Sequence, residues 1–173
     1  MANAQLQKTG AAMLLAKQLK LMQSTDHIPG ISVGLVDDRN VFEWEVMLMI
    51  NDECKFYGGG FFRARLSFPK EYPLLPPKMK FQSPIWHPNI FASGSVCISI
   101  LHPPEEDSTG YESASERWSP VQTPSTILLS VISMLSSPND ESPANVEAAR
   151  QWRDDPVLFK QKVRKCVRDS LEA

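Results

Sequence analysis

Cysteine is scarce. Cys54, Cys97 and Cys166 are the only ones in 173 residues, too few and too widely spaced for a disulfide framework, and no Cys-x-x-Cys pair offers metal-ligand spacing. No apolar run approaches the roughly 20 residues that cross a bilayer. The first residues, Met-Ala-Asn-Ala-Gln, lack the apolar stretch of an export signal. Excess charge is missing too: 18 basic side chains face 20 acidic ones. Nucleic-acid binding needs a basic surface to neutralise phosphates, so the expected partners are proteins, with no nucleic acid and no direct membrane insertion. Gly58-Gly59-Gly60 lacks the Gly-Lys-Ser/Thr ending of a phosphate loop. No repeat and no second domain is visible. With 42% hydrophobic residues, the chain can fill an ordinary core. The expectation is one domain over residues 1–173, cytoplasmic, with no metal and no bound cofactor.

The pattern along the chain predicts an α+β fold. Ala4 to about Ser24 suits a helix with Leu6, Met13, Leu14, Ala16 and Leu21 as its apolar positions and Lys8, Lys17 and Lys20 as its only charges. That basic face is either merely solvated or a docking site for an acidic partner. Ile31 to Val36 reads as a strand, followed by the turn Asp37-Asp38-Arg39-Asn40. Phe42, Trp44, Val46, Leu48 and Ile50 alternate with polar residues and Met47 and Met49, and Phe62, Ala64, Leu66 and Phe68 alternate with Arg63, Arg65 and Ser67. Short connections between such strands imply an antiparallel meander. Residues 69 to 90 contain Pro69, Pro73, Pro76, Pro77, Pro84 and Pro88, a stiff segment that excludes helix, with Lys78 to Phe81 as a short last strand.

Beyond Cys97, residues 102–117 carry Glu105, Glu106, Asp107, Glu112 and Glu116 against Arg117 alone. Such an acidic loop inside a compact domain is usually functional or mobile. Thr123-Pro124 then caps a helix that buries Ile127, Leu128, Val131, Ile132 and Leu135 and ends before Pro138. Further helices are expected from Asn145 and from Asp155-Pro156, the last burying Phe159, Val163, Cys166, Val167 and Leu171.

Each cysteine can be weighed as a small buried hydrophobe or as a nucleophile. Cys166 falls on an apolar helix stripe and reads as structural. Cys54, in the polar turn Asn51 to Lys55, reads as an incidental exposed thiol. In Ser95-Val96-Cys97-Ile98-Ser99-Ile100, a period of two sends Val96, Ile98 and Ile100 inward and leaves Cys97 and Ser99 outward. His87 and Asn89 stand within ten residues of that sulfur. From these residues alone, an accessible nucleophile and an ordinary thiol both remain open.

Four motifs in order, Tyr72-Pro73-Leu74-Leu75-Pro76-Pro77, His87-Pro88-Asn89-Ile90, Gly94-Ser95-Val96-Cys97-Ile98 and Trp118-Ser119-Pro120, resemble the ubiquitin-conjugating enzymes over nearly the whole chain. The separation of 21 positions between Cys97 and Trp118 is similar to that of the branch with a long acidic insertion after the active-site cysteine, which serves ligases of endoplasmic-reticulum-associated degradation. The resemblance implies the fold of that family: a four-stranded antiparallel meander with an N-terminal helix and three C-terminal helices. It implies that Cys97 takes ubiquitin from an activating enzyme as a thioester. With a RING-type ligase, the enzyme would then pass it to lysines of a substrate protein or of ubiquitin, for polyubiquitination and proteasomal degradation. ATP would be consumed by the activating enzyme, and partners would recruit the protein to the endoplasmic reticulum surface.

On the same resemblance, Asn89 would donate its amide to the oxyanion formed when lysine attacks, or else hold its own loop in place. His87 would order that loop rather than act as a base. The place that holds Asp in many family members is Ser142 here, so Asp140, Glu141, the acidic loop or His102 would have to help the lysine lose its proton. Leu74, Pro84, Ile85, Trp86, Ser119 and Pro120 match the ligase-binding loops, with packing inside the proline loop as the alternative for Leu74. The region of Lys8, Lys17 and Lys20 matches the surface used by the activating enzyme, overlapping the ligase surface, so charging and ligase engagement would compete. A non-catalytic binding module, a carrier of another ubiquitin-like modifier, and a cysteine hydrolase using Cys97 and His87 are the competing readings.

Overall fold

A computed structural model describes residues 9–104 and 116–172. Among them the chain forms helix α1 (Gly10–Met22), strands β1 (Ile31–Asp37), β2 (Asn40–Met49), β3 (Phe61–Ser67) and β4 (Lys78–Phe81), a 3₁₀ turn at Ser99–Leu101, and helices α2 (Pro124–Ser136), α3 (Val146–Asp154) and α4 (Pro156–Glu172). The strands lie in the order β1-β2-β3-β4, every neighbour antiparallel. This is the predicted α+β meander with four helices.

The alternation in the strands explains the sheet. Val33 opposes Val46, Val46 opposes Ala64 and Ala64 opposes Phe81. One face therefore carries Trp44, Val46, Leu48, Phe62, Ala64, Leu66, Met79 and Phe81, all buried. Shifting a strand by one residue would put that whole set in water, which fixes the register. Helix α2 covers this face with Ile127, Leu128, Val131, Met134 and Leu135. Its start is a reciprocal capping box: Thr126 N–H donates to Thr123 Oγ1 at 3.3 Å and Thr123 N–H to Thr126 Oγ1 at 2.9 Å, with Pro124 at the first helical position.

Three expectations need correction. Helix α1 begins at Thr9, whose hydroxyl accepts from Ala12 N–H at 3.1 Å, and it buries Ala12, Leu15 and Met22, whereas Met13 and Ala16 face solvent. With alanine, leucine and methionine on every side of the helix, periodicity alone does not choose the inner stripe. The expected positions Leu6 and Lys8 lie outside the described residues. Leu171 of α4 is exposed because the neighbouring Ser170 takes the inner face, its hydroxyl accepting from Phe61 N–H at 3.0 Å, and Cys166 is half-buried, while Phe159, Val163 and Val167 are inside as expected. Residues 96–101 do not continue as a strand. Val96 N–H donates to Met79 O at 3.0 Å, then Leu101 N–H reaches back to Ile98 O at 3.0 Å, and a period of three replaces the period of two. Ile98, Ile100 and Leu101 are all half-buried against the core as a result.

Candidate active site

The segment from Ser83 to Cys97 is held by backbone bonds to several elements. Gly94 stands at φ +99°, a backbone conformation that favours glycine, and a Cβ there would collide with the Phe81 carbonyl. Phe81 N–H donates to Gly94 O at 2.8 Å and Cys97 N–H to Asn89 O at 2.9 Å. The cysteine is thus tied to the asparagine's own peptide.

His87 is fully buried. Its Nδ1 accepts from Asn89 N–H at 2.9 Å, so the proton is on Nε2, which donates to Met134 O at 2.9 Å. Both ring nitrogens are committed to backbone, leaving neither for a neighbouring thiol. Burial lowers the imidazole from its ordinary value to about 4, partly opposed by the Met134 carbonyl. The unfolded chain, titrating near 6.5, binds more protons than the folded one between the two values, so stability rises with pH across that window. Acidifying from neutrality to about pH 4 should cost the fold about 3 kcal/mol through this residue. Urea unfolding over that range should show a steeper pH dependence for the wild type than for His87→Gln; parallel curves would contradict the assignment.

Asn89 is 4% exposed. Its Oδ1 accepts from Asn139 N–H at 2.9 Å and its Nδ2 donates to Asn139 O at 2.7 Å, a two-point grip on the segment between α2 and α3. Ala144 and Asn145 N–H groups donate to Pro88 O at 2.9 and 3.0 Å, fixing the far end of the same segment. Among the described residues one Nδ2 proton has no protein acceptor, and Asn89 borders the cleft that holds Cys97. The two roles open for Asn89 are therefore compatible in one side chain: the grip orients the amide and leaves a donor over.

Cys97 is half-buried and borders a cleft of ≈ 270 Å³ with Ser99, His102 and Asn139. Ser130, Ser133, Met134 and Ser137, from α2 and its C-terminal end, line it as well. His102, not His87, is the histidine at the sulfur, with Nε2 3.6 Å from Cys97 Sγ. Ser142 lies on the rim, exposed. Among the described residues no carboxylate, lysine or arginine lines the cleft. Asp140 does not border it and is paired with Arg153 at 3.7 Å, and Glu141 is exposed elsewhere, its backbone N–H on Asn139 Oδ1 at 3.1 Å. The loop acids Glu105, Glu106, Asp107 and Glu112 lie outside the described residues.

The other cysteines differ from Cys97 in surroundings. Cys54 is half-buried rather than exposed, its Sγ 3.3 Å from Ser136 Oγ, because the turn folds onto the end of α2. Burial pushes the Cys166 thiol up, which disfavours the thiolate.

The loop residues matched to ligase binding divide. Leu74 is 67% exposed, so it does not pack inside the proline loop. Trp118 Nε1–H donates to Pro73 O at 2.9 Å, and this bond brings Ser119 and exposed Pro120 to the same end as Leu74. Pro84 is exposed, but Ile85 is buried in the core, a correction forced by the turn that sends its neighbour His87 inward. Trp86 faces α3 and α4, donating to Gln151 Oε1 at 3.0 Å under the Lys162 ammonium, which is 4.3 Å from the ring centroid. Lys17 and Lys20 are exposed on α1, and Lys8 lies outside the described residues.

Sequence reasoning missed the parts of the site that come from α2 and the segment after it: the Met134 carbonyl, the serine wall and the backbone of Asn139. Nothing local marks them. Among the described residues no cluster of metal-ligating side chains exists and no helix is long and apolar enough to cross a membrane.

Residues 14–167 match the family described as ubiquitin-conjugating enzyme. The chain is 60% identical over 164 residues to Ubiquitin-conjugating enzyme E2 15 of Schizosaccharomyces pombe, spanning 95% of this chain and 97% of that one. It is 53% identical over 143 residues to Ubiquitin-conjugating enzyme E2 G2 of Homo sapiens, spanning 82% and 86%. The solved structure of human Ubiquitin-conjugating enzyme E2 G1 superposes with a TM-score of 0.64 at 46% identity, covering 75% of this chain and 97% of that chain.

Proposed function

The chain belongs to the ubiquitin-conjugating enzyme family, and from that premise we propose that Cys97 is the sulfur that carries ubiquitin and that Asn89 stabilises the transfer. Enzymes of this family work with ubiquitin, an activating enzyme and a ligase. In this chain, the Cys97 thiolate attacks the carbonyl of ubiquitin's thioester on the activating enzyme. A new S–C bond forms as the old one breaks, and the activating enzyme's thiol leaves. A lysine amine then attacks the Cys97 thioester, its proton is lost, and Cys97 leaves as an isopeptide bond forms.

The observation that carries this reading is the position of Cys97: half-buried at a cleft lined by hydroxyls, amides and an imidazole together with apolar Ile98 and Met134, a mixture that suits an extended peptide tail. The spare Asn89 amide proton supports its role as donor to the oxyanion. The 3.6 Å approach of His102 Nε2 to the sulfur supports a part for that imidazole in handling the proton during the exchange. Leu74, Ser119, Pro120 and Pro84 form the ligase-facing end, where an exposed apolar tip can seat in a groove, and Lys17 and Lys20 face the activating enzyme.

The acidic composition of 102–117 supports membership of the branch that serves endoplasmic-reticulum-associated degradation, with the enzyme cytoplasmic, recruited to that membrane by partners, and holding no cofactor of its own. ATP is consumed by the activating enzyme. Incubation with activating enzyme, ATP and ubiquitin should yield one adduct that a thiol reductant removes. No adduct with ubiquitin would overturn the reading, and loading by a different ubiquitin-like modifier alone would change the cargo.

A further inference from the structure

The exposed tip at Leu74 sits on a turn that closes on itself. Tyr72 N–H donates to Pro69 O at 3.1 Å and Leu74 N–H to Glu71 O at 2.8 Å. Those bonds fix the shape of the turn but not its place on the molecule. Its place comes from the Tyr72 side chain, which is buried. The ring meets Phe68 edge-on at 4.9 Å and Trp118 at 5.9 Å between centroids, burial that holds it in the core but is non-directional. Direction is supplied by two hydrogen bonds. Pro73 O accepts from Trp118 Nε1–H at 2.9 Å, and the Tyr72 hydroxyl donates to Gln18 Oε1 on α1 at 2.6 Å. Burial pushes the Tyr72 phenol up to about 12, partly opposed by the Gln18 bond, so the hydroxyl keeps the proton it donates. Among the described residues this is the one hydrogen bond that a side chain of Gly10–Met22 makes beyond the helix. Gln18 also borders the crevice between α1 and the start of α2, with Thr123 and Pro124, where the chain arriving from Ser119 and Pro120 enters α2.

We infer that Gln18 is a positioning residue for the ligase-facing end: by accepting from Tyr72, it holds the Leu74 turn in the place where a RING domain takes it. This inference rests on the reading of Leu74, Ser119 and Pro120 as the surface met by the ligase. Gln18 acts through Tyr72 and not on the reacting atoms. A turn that occupies its docking position for only a fraction of the time binds with its dissociation constant divided by that fraction. Without the bond the turn keeps its shape and the ring stays buried, but the tip drifts from its place beside Ser119 and Pro120. The loss falls on binding alone. Once a RING domain has captured the turn, the complex is the same as that of the wild type, so the rate at saturation does not depend on the bond.

The test uses the full chain charged with ubiquitin and a RING domain chosen because it accelerates discharge from the wild type. Single-turnover discharge to free lysine is followed against RING concentration. Tyr72→Phe deletes one oxygen and keeps the ring, and Gln18→Met keeps the side-chain length and deletes the acceptor. Each should raise the half-saturating RING concentration about three- to tenfold, the range that loss of a single hydrogen bond spans. The rates without RING and at saturation should stay as in the wild type. The double variant should rise no further than either single one, because both remove the same bond. Gln18→Glu, which keeps an acceptor oxygen at the same length, should stay near the wild-type value, a rescue that mere loosening of α1 would not show. An unchanged half-saturating concentration in Tyr72→Phe, effects that add in the double variant, no rescue by Gln18→Glu, or an equal fall in the RING-free rate overturns the inference. Leu74→Ala separates the premise from it. If that variant leaves the RING dependence unchanged, the ligase-facing assignment falls, and this inference with it; if it weakens RING binding while Tyr72→Phe does not, the inference alone fails.

Discussion

Cys97→Ala should abolish ubiquitin loading completely, and Cys97→Ser should load slowly into an adduct that a thiol reductant no longer removes. The reason is chemical: serine places an alkoxide-forming oxygen where the sulfur was, and the resulting oxygen ester resists thiol exchange, whereas alanine leaves no nucleophile at all. Cys54→Ala and Cys166→Ala serve as the internal comparison. Cys54 contacts the Ser136 hydroxyl and Cys166 is half-buried in α4 with its thiol pushed up by burial, so both variants should load as the wild type does. Gel mobility with and without reductant reads all four. A reducible adduct that survives Cys97→Ala would move the carrier to another cysteine and remove the basis for every role assigned around the cleft.

Asn89→Ala should have the next largest effect, and in two measurable quantities. The side chain loses its grip on Asn139, which leaves a backbone N–H and C=O with an unmade bond. Such a group costs about 1–3 kcal/mol where water cannot replace the partner; Asn139 is exposed and water can reach it, so chemical unfolding should show a loss of about 1 kcal/mol in total. Transfer should suffer more: removing a single oxyanion donor slows a reaction about 10²- to 10³-fold, so lysine discharge from the charged enzyme should fall by about that factor. Loading from the activating enzyme should fall less if the donor acts chiefly on attack by the amine. A variant that is destabilised but discharges at the wild-type rate would assign Asn89 to holding the loop alone. Both effects can come from one residue because two hydrogen-bonding positions of the carboxamide are taken by Asn139, a second Nδ2 proton has no acceptor among the described residues, and the residue borders the cleft.

The strands were readable in advance because a two-sided sheet imposes a period of two. Trp44, Val46 and Leu48, or Phe62, Ala64 and Leu66, have no alternative arrangement that keeps all of them dry. The same holds for α2, where Thr123-Pro124 marks the start and Ile127, Leu128, Val131 and Leu135 mark the buried side. Helix α1 was readable as a helix but not in its orientation, since Met13 and Leu15 are equally apolar and the sheet beneath decides between them. The piece after Cys97 failed for a related reason. Ile98 and Ile100 satisfy a strand pattern, but among the described residues no strand pairs with them, and the chain closes its own bonds in a 3₁₀ turn.

The amino-acid order alone settled the meander and the placement of α2 to α4, and through its contiguous motifs it pointed to Cys97 by resemblance, because these depend on local periodicity, caps and short ordered motifs. Tertiary structure decided the company Cys97 keeps. His87, ten positions before the sulfur, turns away to the Met134 carbonyl, while His102 turns toward it, and Asn89 takes its partner from 50 residues further along. A hydrogen bond depends on distance and direction in space, and for residues so far apart in the chain these exist only once α2 has docked on the sheet and the segment behind it has been drawn back over the loop.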